Sequence, residues 1–192
     1  MKTVVAVGTM LLLASLPVQA EWVLDKELSR VNFVTTKANT AAEVHTFKDL
    51  DGRMTEDGKA LIRINLDSVD TAIEIRDERM RGMLFETQFY PEAILAAKVD
   101  TDSLDVLPVG DTMLSSAEAE LQLHSAKLPM IVEFSVSRLS PTRLAVSSFK
   151  PIVVNAGQVN LAEGVERLRE IAGLPSISPA VPVSFSLVFN LE

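Results

Sequence analysis

The chain has 192 residues, the length of one domain with an adequate core, and its 47% apolar and 23% charged content excludes wholesale disorder. Its formal net charge of −8 has the wrong sign for a protein that coats nucleic acid or anionic lipid head groups. Cysteine is absent, so disulfides, cysteine-bound zinc, iron–sulfur clusters and thiol nucleophiles are excluded. We therefore expect a single domain without a nucleic-acid partner.

Residues 1–20 have the pattern of a secretory signal peptide. Lys2 gives a positive start, Val4 to Leu13 is an apolar run, and Val18-Gln19-Ala20 is a small-x-Ala cleavage pattern. The apolar run is shorter than the ~20 residues that a membrane-spanning helix needs. The pattern predicts an exported protein whose mature domain covers 21–192 and has no membrane span.

From residue 30 onwards, apolar and polar side chains alternate at period two, which is typical of antiparallel strands with one buried face. The alternation predicts strands over 30–37, 41–48, 62–66, 93–101, 117–124, 130–137, 142–150 and 181–191. Turn patterns separate them, among them Asp51-Gly52, Asp57-Gly58 and Ser140-Pro141. About eight short strands with close turns predict an all-β fold that closes into a barrel, because closure removes the free edges of a sheet.

The first of two helical segments lies over 76–89, where Met80, Met83 and Leu84 share one helical face and arginines lie elsewhere. One interpretation is a lid that packs on one end of the barrel with its arginines in solvent. A second interpretation adds a ligand, since methionines adapt to a long apolar molecule and a rim arginine suits a phosphate or another polar head group.

The second helix is predicted over 159–172. Its apolar residues fall at helical spacing, Asn160 and Glu163 resemble a capping box, and Gly173 marks its end. The fold therefore contains one or two short helices beside its strands.

No motif for catalysis or metal binding is visible. His45 and His124 lie in strand-like alternation without a second histidine at short spacing, so we interpret both as surface residues of strands. The sequence contains no nucleophile elbow, phosphate-binding loop or dinucleotide-binding turn. We expect neither an enzyme nor a metal protein.

The period-two faces also predict which side chains point into the barrel. They are Leu121, Leu123, Phe134, Val183, Phe185 and Phe189. Eight strands enclose an interior that either is filled by side chains or holds one slender ligand. The alternation pattern leaves both possibilities open.

Three groups of residues fit one protein family. They are Trp22-Val23-Leu24-Asp25 with Ser29, Val31 and Phe33; Asp67-Ser68-Val69-Asp70-Thr71 with Arg76-Asp77-Glu78, Phe85 and Tyr90-Pro91; and Leu121-Gln122-Leu123-His124 with Pro129. In this order, over 22–191, they resemble the motifs of the YceI-like periplasmic polyisoprenoid-binding proteins. The resemblance implies an eight-stranded, antiparallel, lipocalin-like barrel. Its apolar tunnel would hold an isoprenoid tail, of a quinone or a polyprenyl lipid, without catalysis.

The resemblance and the lid together predict a lipid-binding site. Its lining residues are predicted to be Met80, Met83, Leu84, Phe85, Leu121, Phe134, Val183, Phe185 and Phe189. Arg76 and Arg79 are the predicted head-group contacts, although Arg76 is equally suited to pair with a nearby acid. Arg79 and Met80 depart from the family motif, so the identity of the lipid does not transfer.

Other properties follow from the same interpretation or compete with it. A bound isoprenoid lipid such as a quinone is the one cofactor-like group that we expect, and a dimer is possible. The competing functions are a secreted hydrolase with an unrecognised site, and a barrel filled by its own side chains that serves in stress protection or partner binding.

Overall fold

The computed structural model describes residues 20–192, so the predicted signal peptide lies outside the described residues except for Ala20. The strands in this range are β1 Glu21–Leu24, β2 Arg30–Lys37, β3 Ala41–Phe47, β4 Leu50–Thr55, β5 Lys59–Asn65, β6 Val69–Asp70, β7 Glu92–Lys98, β8 Thr112–Leu123, β9 Ala126–Ser140, β10 Arg143–Ser148, β11 Ile152–Asn155 and β12 Ala180–Leu191. The helices are α1 Glu74–Arg79, a π-helical segment Met80–Phe85, α2 Thr101–Asp105 and α3 Ala162–Ile171, with 3-10 turns at Leu66–Ser68 and Ala156–Val159.

The strands form a closed antiparallel ring in the order β1, β4, β5, β7, β8, β9, β10 and β12, and β12 pairs back with β1. β1 and β2 follow each other along the same edge of β12, so together they act as one interrupted strand. On their other side β4 pairs with β1 and β3 pairs with β2, so β3 and β4 form a second interrupted strand. β10 and β11 likewise follow each other along β12. The predicted fold, an eight-stranded antiparallel barrel with few short helices, is confirmed.

The strand β4 was missed because Asp51-Gly52 has the sequence of a turn. Both residues lie inside β4, where Gly52 is buried and pairs with Ile62 of β5. A Cβ on Gly52 would lie 2.7 Å from the Cδ1 atom of Ile62. The absence of a side chain at Gly52 therefore lets the Ile62 side chain pack against the β4 backbone. The turn predicted at Asp51-Gly52 is wrong.

The segment predicted as a helix over 76–89 begins and ends earlier. α1 runs directly into the π-helical segment, which ends at Glu86 in a left-handed conformation with a φ of 48°. The buried carboxylate of Asp77 anchors α1 by accepting hydrogen bonds from the backbone N–H and the hydroxyl of Thr71. Phe89 lies beyond the helix and is exposed.

The helix predicted over 159–172 is α3, but the capping box is absent from it. Leu161 occupies the N-cap position, and Asn160 has a left-handed φ of 58°. The side-chain amide of Asn160 instead donates to the carbonyl of His124 and the hydroxyl of Ser125, both at 3.4 Å. This contact joins the start of α3 to the β8–β9 turn.

Helices cover the two ends of the barrel differently. α1, the π-helical segment and α3 lie at the end that carries the β2–β3 turn, which we call the lid end. α2 lies at the opposite end, the plug end, where Leu104 is buried and its carbonyl accepts a hydrogen bond from Arg138. The sequence analysis missed α2, because five residues are too few to show helical spacing.

Candidate functional site

A cavity of about 480 Å³ runs through the barrel. At the plug end its wall includes Ala60, Ala97 and Leu104, and most of its length is lined by aliphatic and aromatic side chains from the inward faces of the strands. Pockets of this size and character hold small or slender ligands. The barrel interior is therefore not filled by its own side chains.

Eight of the nine residues predicted to bind lipid line this cavity. They are Met80, Leu84, Phe85, Leu121, Phe134, Val183, Phe185 and Phe189. Met83 does not line it, and this placement corrects the sequence analysis. The prediction assumed α-helical spacing, whereas the π-helical segment has more residues per turn and brings Met80, Leu84 and Phe85 inward.

The cavity reaches solvent at the lid end. Ile73 and Ile75, beside and within α1, and Ile171 at the end of α3 all line the cavity, and they are 49%, 52% and 46% exposed. At the plug end, by contrast, the lining residues Leu104 and Leu144 are buried. A long molecule would thus enter between α1 and the end of α3.

The polar side chains that line the cavity lie together at the lid end. They are Thr35, Lys37, His45, Arg76, Arg79 and Ser178. This distribution gives the cavity one end suited to polar atoms and a long apolar remainder.

A carboxylate holds two of these cations. Glu43 on β3 accepts a hydrogen bond from Lys37 Nζ at 2.6 Å and from Arg76 Nη1 at 2.5 Å. The hydrogen bond from Lys37, together with that from Arg76, lowers the pKa of the Glu43 carboxyl although burial opposes this. Two cations thus share one anion at the mouth.

The two predicted head-group arginines differ in their surroundings. Arg76 is engaged twice, since Nη1 contacts Glu43 and Nη2 donates to the carbonyl of Thr71 at 2.6 Å. Arg79 lines the cavity, and within residues 20–192 its side chain has no hydrogen-bond or ion-pair partner. Arg79 is therefore the freer of the two cations.

His45 is not a surface residue, and this corrects the interpretation from sequence. It pairs with Phe33 of β2, points inward with Phe47, and is 4% exposed. Its ring lines the cavity and packs against the ring of Phe33, with 5.2 Å between centroids. The apolar residue Phe47 could have indicated the burial of His45 from the sequence, because residues two apart on a strand share a face.

The imidazole of His45 is only half satisfied. Nε2 lies 2.9 Å from the Thr35 hydroxyl, whereas Nδ1 is buried without a partner in the described part of the chain. Burial, followed by the positive charge of Arg76, lowers the pKa of His45 below its ordinary value of 6.5. The lowered pKa therefore favours the neutral form of the ring.

His124 occupies a different place. It lies in the β8–β9 turn with a φ of 45°, and its Nε2 is 2.9 Å from a Glu86 carboxylate oxygen. Its ring packs at a tilt of 44° against the ring of Tyr90, with 4.2 Å between the centroids. Among the residues that the structure describes, no cluster of three or more histidine or acidic side chains could hold a metal ion. No helix in residues 20–192 is long and apolar enough to cross a membrane.

Comparison with solved structures finds the same fold in three bacteria. A polyisoprenoid-binding domain from Saccharophagus degradans, implicated in plant cell wall breakdown, is 37% identical, with a TM-score of 0.87, over 89% of this chain and 98% of that one. BcnA from Burkholderia cenocepacia is 17% identical, with a TM-score of 0.67 over 86% and 98% of the two chains. The YceI protein of Campylobacter jejuni is 11% identical, with a TM-score of 0.56 over 76% and 83%.

The sequence comparisons point the same way. No curated protein shows a significant match to this chain. The family model of the YceI-like domain, however, matches residues 22–189, nearly the whole range over which the motifs of Trp22, Arg76 and Leu121 were recognised. With the shared barrel and the 37% identity to a solved relative, this match shows that the chain belongs to the YceI-like family.

Proposed function

We propose that this protein is a non-catalytic carrier that holds one isoprenoid lipid, of quinone or polyprenyl type, in the barrel cavity. The observation that carries the proposal is the cavity itself, which is apolar along its length, polar at one end and reaches solvent at that same end. The similarity to a polyisoprenoid-binding domain supports it. We place its action in the periplasm, on the signal-peptide pattern of residues 1–20.

The geometry favours an orientation for the lipid. The tail would extend toward Leu104 at the plug end, since the lining there is apolar and buried. The head would stay at the lid end beside His45, Arg76 and Arg79. The opposite orientation would bury a polar head among hydrocarbon side chains without hydrogen-bond partners, which is costly.

The cavity volume limits the tail. If each non-hydrogen atom takes up about the 30 Å³ that a water molecule occupies in the liquid, 480 Å³ accommodates roughly 16 carbon atoms, or about three isoprenoid units. Each buried methylene contributes about 0.8 kcal/mol, so affinity should rise by at least tenfold per unit up to that length. Beyond it, each additional unit would push the head, and the part of the tail next to it, out of the mouth, so longer tails would gain little affinity.

Binding of prenyl alcohols with one to six isoprenoid units tests the proposal. We expect the dissociation constant to fall steeply through the first three or so units and then to level off. The measurement is a fluorescence or calorimetric titration of the domain over 21–192. A dissociation constant that does not depend on tail length would contradict the proposal.

Two neighbouring alanines of β7 provide a matched pair of variants. Ala97 lines the cavity near the plug end, whereas Ala96 points away from it. Ala97→Phe should shorten the preferred tail by about one unit, because a phenyl ring occupies a similar volume. Ala96→Phe should leave the tail-length profile of the parent unchanged.

A further inference from the structure

The side chain of His45 offers a polar contact within the cavity. A polar atom that is buried and unpaired is uncommon in proteins and requires an explanation. His45 Nδ1 is such an atom, in a ring that lines the cavity at the end where the other polar side chains lie. Nε2 is already engaged by Thr35, so Nδ1 is the nitrogen that remains for a further partner.

We propose that His45 holds the polar end of the lipid through Nδ1, and that this polar end is a single uncharged oxygen, a carbonyl or a hydroxyl. This inference rests on the proposed function and goes beyond it. It assigns the head-group contact to a residue other than the two arginines, and it selects among isoprenoid lipids by the charge of their heads.

The charges around His45 favour an uncharged head. A carboxylate oxygen of Glu43 lies 3.8 Å from Nε2 and already holds Lys37 and Arg76. A phosphate or carboxylate beside the ring would therefore meet a negative charge whose two cations are already engaged, so the cation left for a charged head is Arg79, which has no partner among the described residues, and not His45. The lowered pKa of His45 agrees, because a neutral imidazole offers an ordinary hydrogen bond rather than a positive charge.

Thr35 determines which oxygen fits. If its hydroxyl donates to Nε2, the proton of the neutral ring is on Nδ1, which then donates to a carbonyl. If Nε2 donates to the hydroxyl of Thr35, Nδ1 carries a lone pair and accepts from a lipid hydroxyl. The two arrangements share one chemistry, a hydrogen bond to an uncharged oxygen, and they predict different ligands.

Four isoprenoid ligands with the same three-unit tail test the inference: the hydrocarbon, the alcohol, the aldehyde and the monophosphate. We expect the better of the alcohol and the aldehyde to bind about three- to tenfold more tightly than the hydrocarbon, the range of one neutral hydrogen bond. The monophosphate should bind less tightly than the better of the alcohol and the aldehyde. A monophosphate that binds most tightly would overturn the inference.

His45→Phe removes the nitrogen and keeps an aromatic ring against Phe33. It should equalise the hydrocarbon, the alcohol and the aldehyde, while affinity still rises with tail length. His124→Phe is the matched control and should keep the preference of the parent, because His124 bonds to Glu86 outside the cavity lining. A preference that persists in His45→Phe would refute the role of His45.

Nitrogen NMR of the unsubstituted protein supplies a test that does not depend on a variant. The chain has two histidines, so ¹⁵N-histidine labelling yields two imidazoles. The alcohol or the aldehyde should shift the Nδ1 resonance of His45, with the sign reporting a donor or an acceptor, and the hydrocarbon should shift it little. Tail-dependent binding without an Nδ1 shift would reject this inference alone, whereas binding that ignores tail length would reject the proposed function.

Discussion

His45 combines near-complete burial with a titratable ring, so the stability of the protein should respond to pH near neutrality. The unfolded imidazole has an ordinary pKa of about 6.5, and burial lowers the pKa of the folded one. When the pH falls below about 7, the unfolded chain takes up a proton that folded His45 does not, which favours unfolding. The stabilisation is therefore present above this pH and is lost progressively down to the folded pKa.

We expect the free energy of unfolding to fall as the pH is lowered from 7.5 to 5.5, with a slope of up to about 1.4 kcal/mol per pH unit from this group. Urea unfolding at several pH values measures it. His45→Phe should flatten the slope in this window. As a control, the same pH series is measured on His124→Gln, in which His45 is the remaining histidine, and on His124→Gln combined with His45→Phe. Equal slopes of the unfolding free energy against pH with and without His45 would contradict the prediction.

Glu43 links three elements through single side chains. Its carboxylate contacts Lys37 on β2 and Arg76 on α1, and the same oxygen lies near His45. Pairs of this kind near the surface contribute little to stability on their own. Their effect here is to orient α1 over the mouth and to occupy the guanidinium that the sequence analysis assigned to a lipid head.

At the scale of elements, the lid depends on close contact between α3 and the π-helical segment. Gly164 of α3 is buried there, and a Cβ at this position would lie 2.7 Å from the Met83 carbonyl oxygen and 2.8 Å from the Leu84 Cα. These neighbours are backbone atoms, so they can yield only if the two helices separate. Glycine at this position sets the spacing of the lid.

Gly164→Ala should therefore lower the free energy of unfolding by about 1–3 kcal/mol, the usual cost of overpacking. Gly82 in the π-helical segment is the matched control, since a Cβ there has no neighbour within 4 Å. Gly82→Ala should stabilise the protein by about 0.5–1 kcal/mol, because alanine loses less backbone entropy in a helix. Chemical denaturation of both variants measures these free energies of unfolding. A Gly164→Ala variant as stable as the parent would contradict the prediction and show that α3 can move away from the π-helical segment without cost.

At the scale of the whole molecule, one strand closes the barrel. β12 pairs with β10 and β11 on one side and with β1 and β2 on the other, and its last residues place Phe189 opposite Leu24 and Leu191 opposite Trp22. These pairings join the two ends of the domain. Without them the ring would be an open sheet with two exposed edges.

A chain that ends at Leu187 should not form the barrel. It loses the pairing of β12 with β1 and the buried Phe189. Together these losses are a large fraction of the ~5–15 kcal/mol free energy of unfolding of a typical domain. Circular dichroism and size-exclusion chromatography should show loss of strand signal or aggregation. Deletion of Glu192 alone removes an exposed side chain and two backbone hydrogen bonds to Glu21, but it keeps Phe189 and the pairing of Leu24, Val23 and Trp22 with β12, so it should leave a folded monodisperse protein. A folded protein ending at Leu187 would show that closure is dispensable.

Alternation along the sequence was sufficient to predict most of the barrel. Strands β2, β8, β9 and β12 each contain a predicted stretch, and the inward direction of Phe134, Phe185 and Phe189 is confirmed by their place in the cavity wall. This information is local, because a strand with one dry face repeats every two residues wherever its neighbours lie. The strand ends and the plug helix α2 lacked such a repeat, and in β4 the turn-like pair Asp51-Gly52 concealed it.

The chemistry of the mouth was decided by tertiary structure. Glu43 and Arg76 are 33 residues apart, and their contact exists because strand pairing and α1 bring them to the same end of the barrel. The burial of His45 likewise depends on its pairing with Phe33 and on the lid above it. The sequence by itself determined an exported-type leader pattern, a family and an alternating barrel, since these reside in neighbouring residues. The open cavity and its polar end arise from contacts between distant residues, which no local pattern encodes.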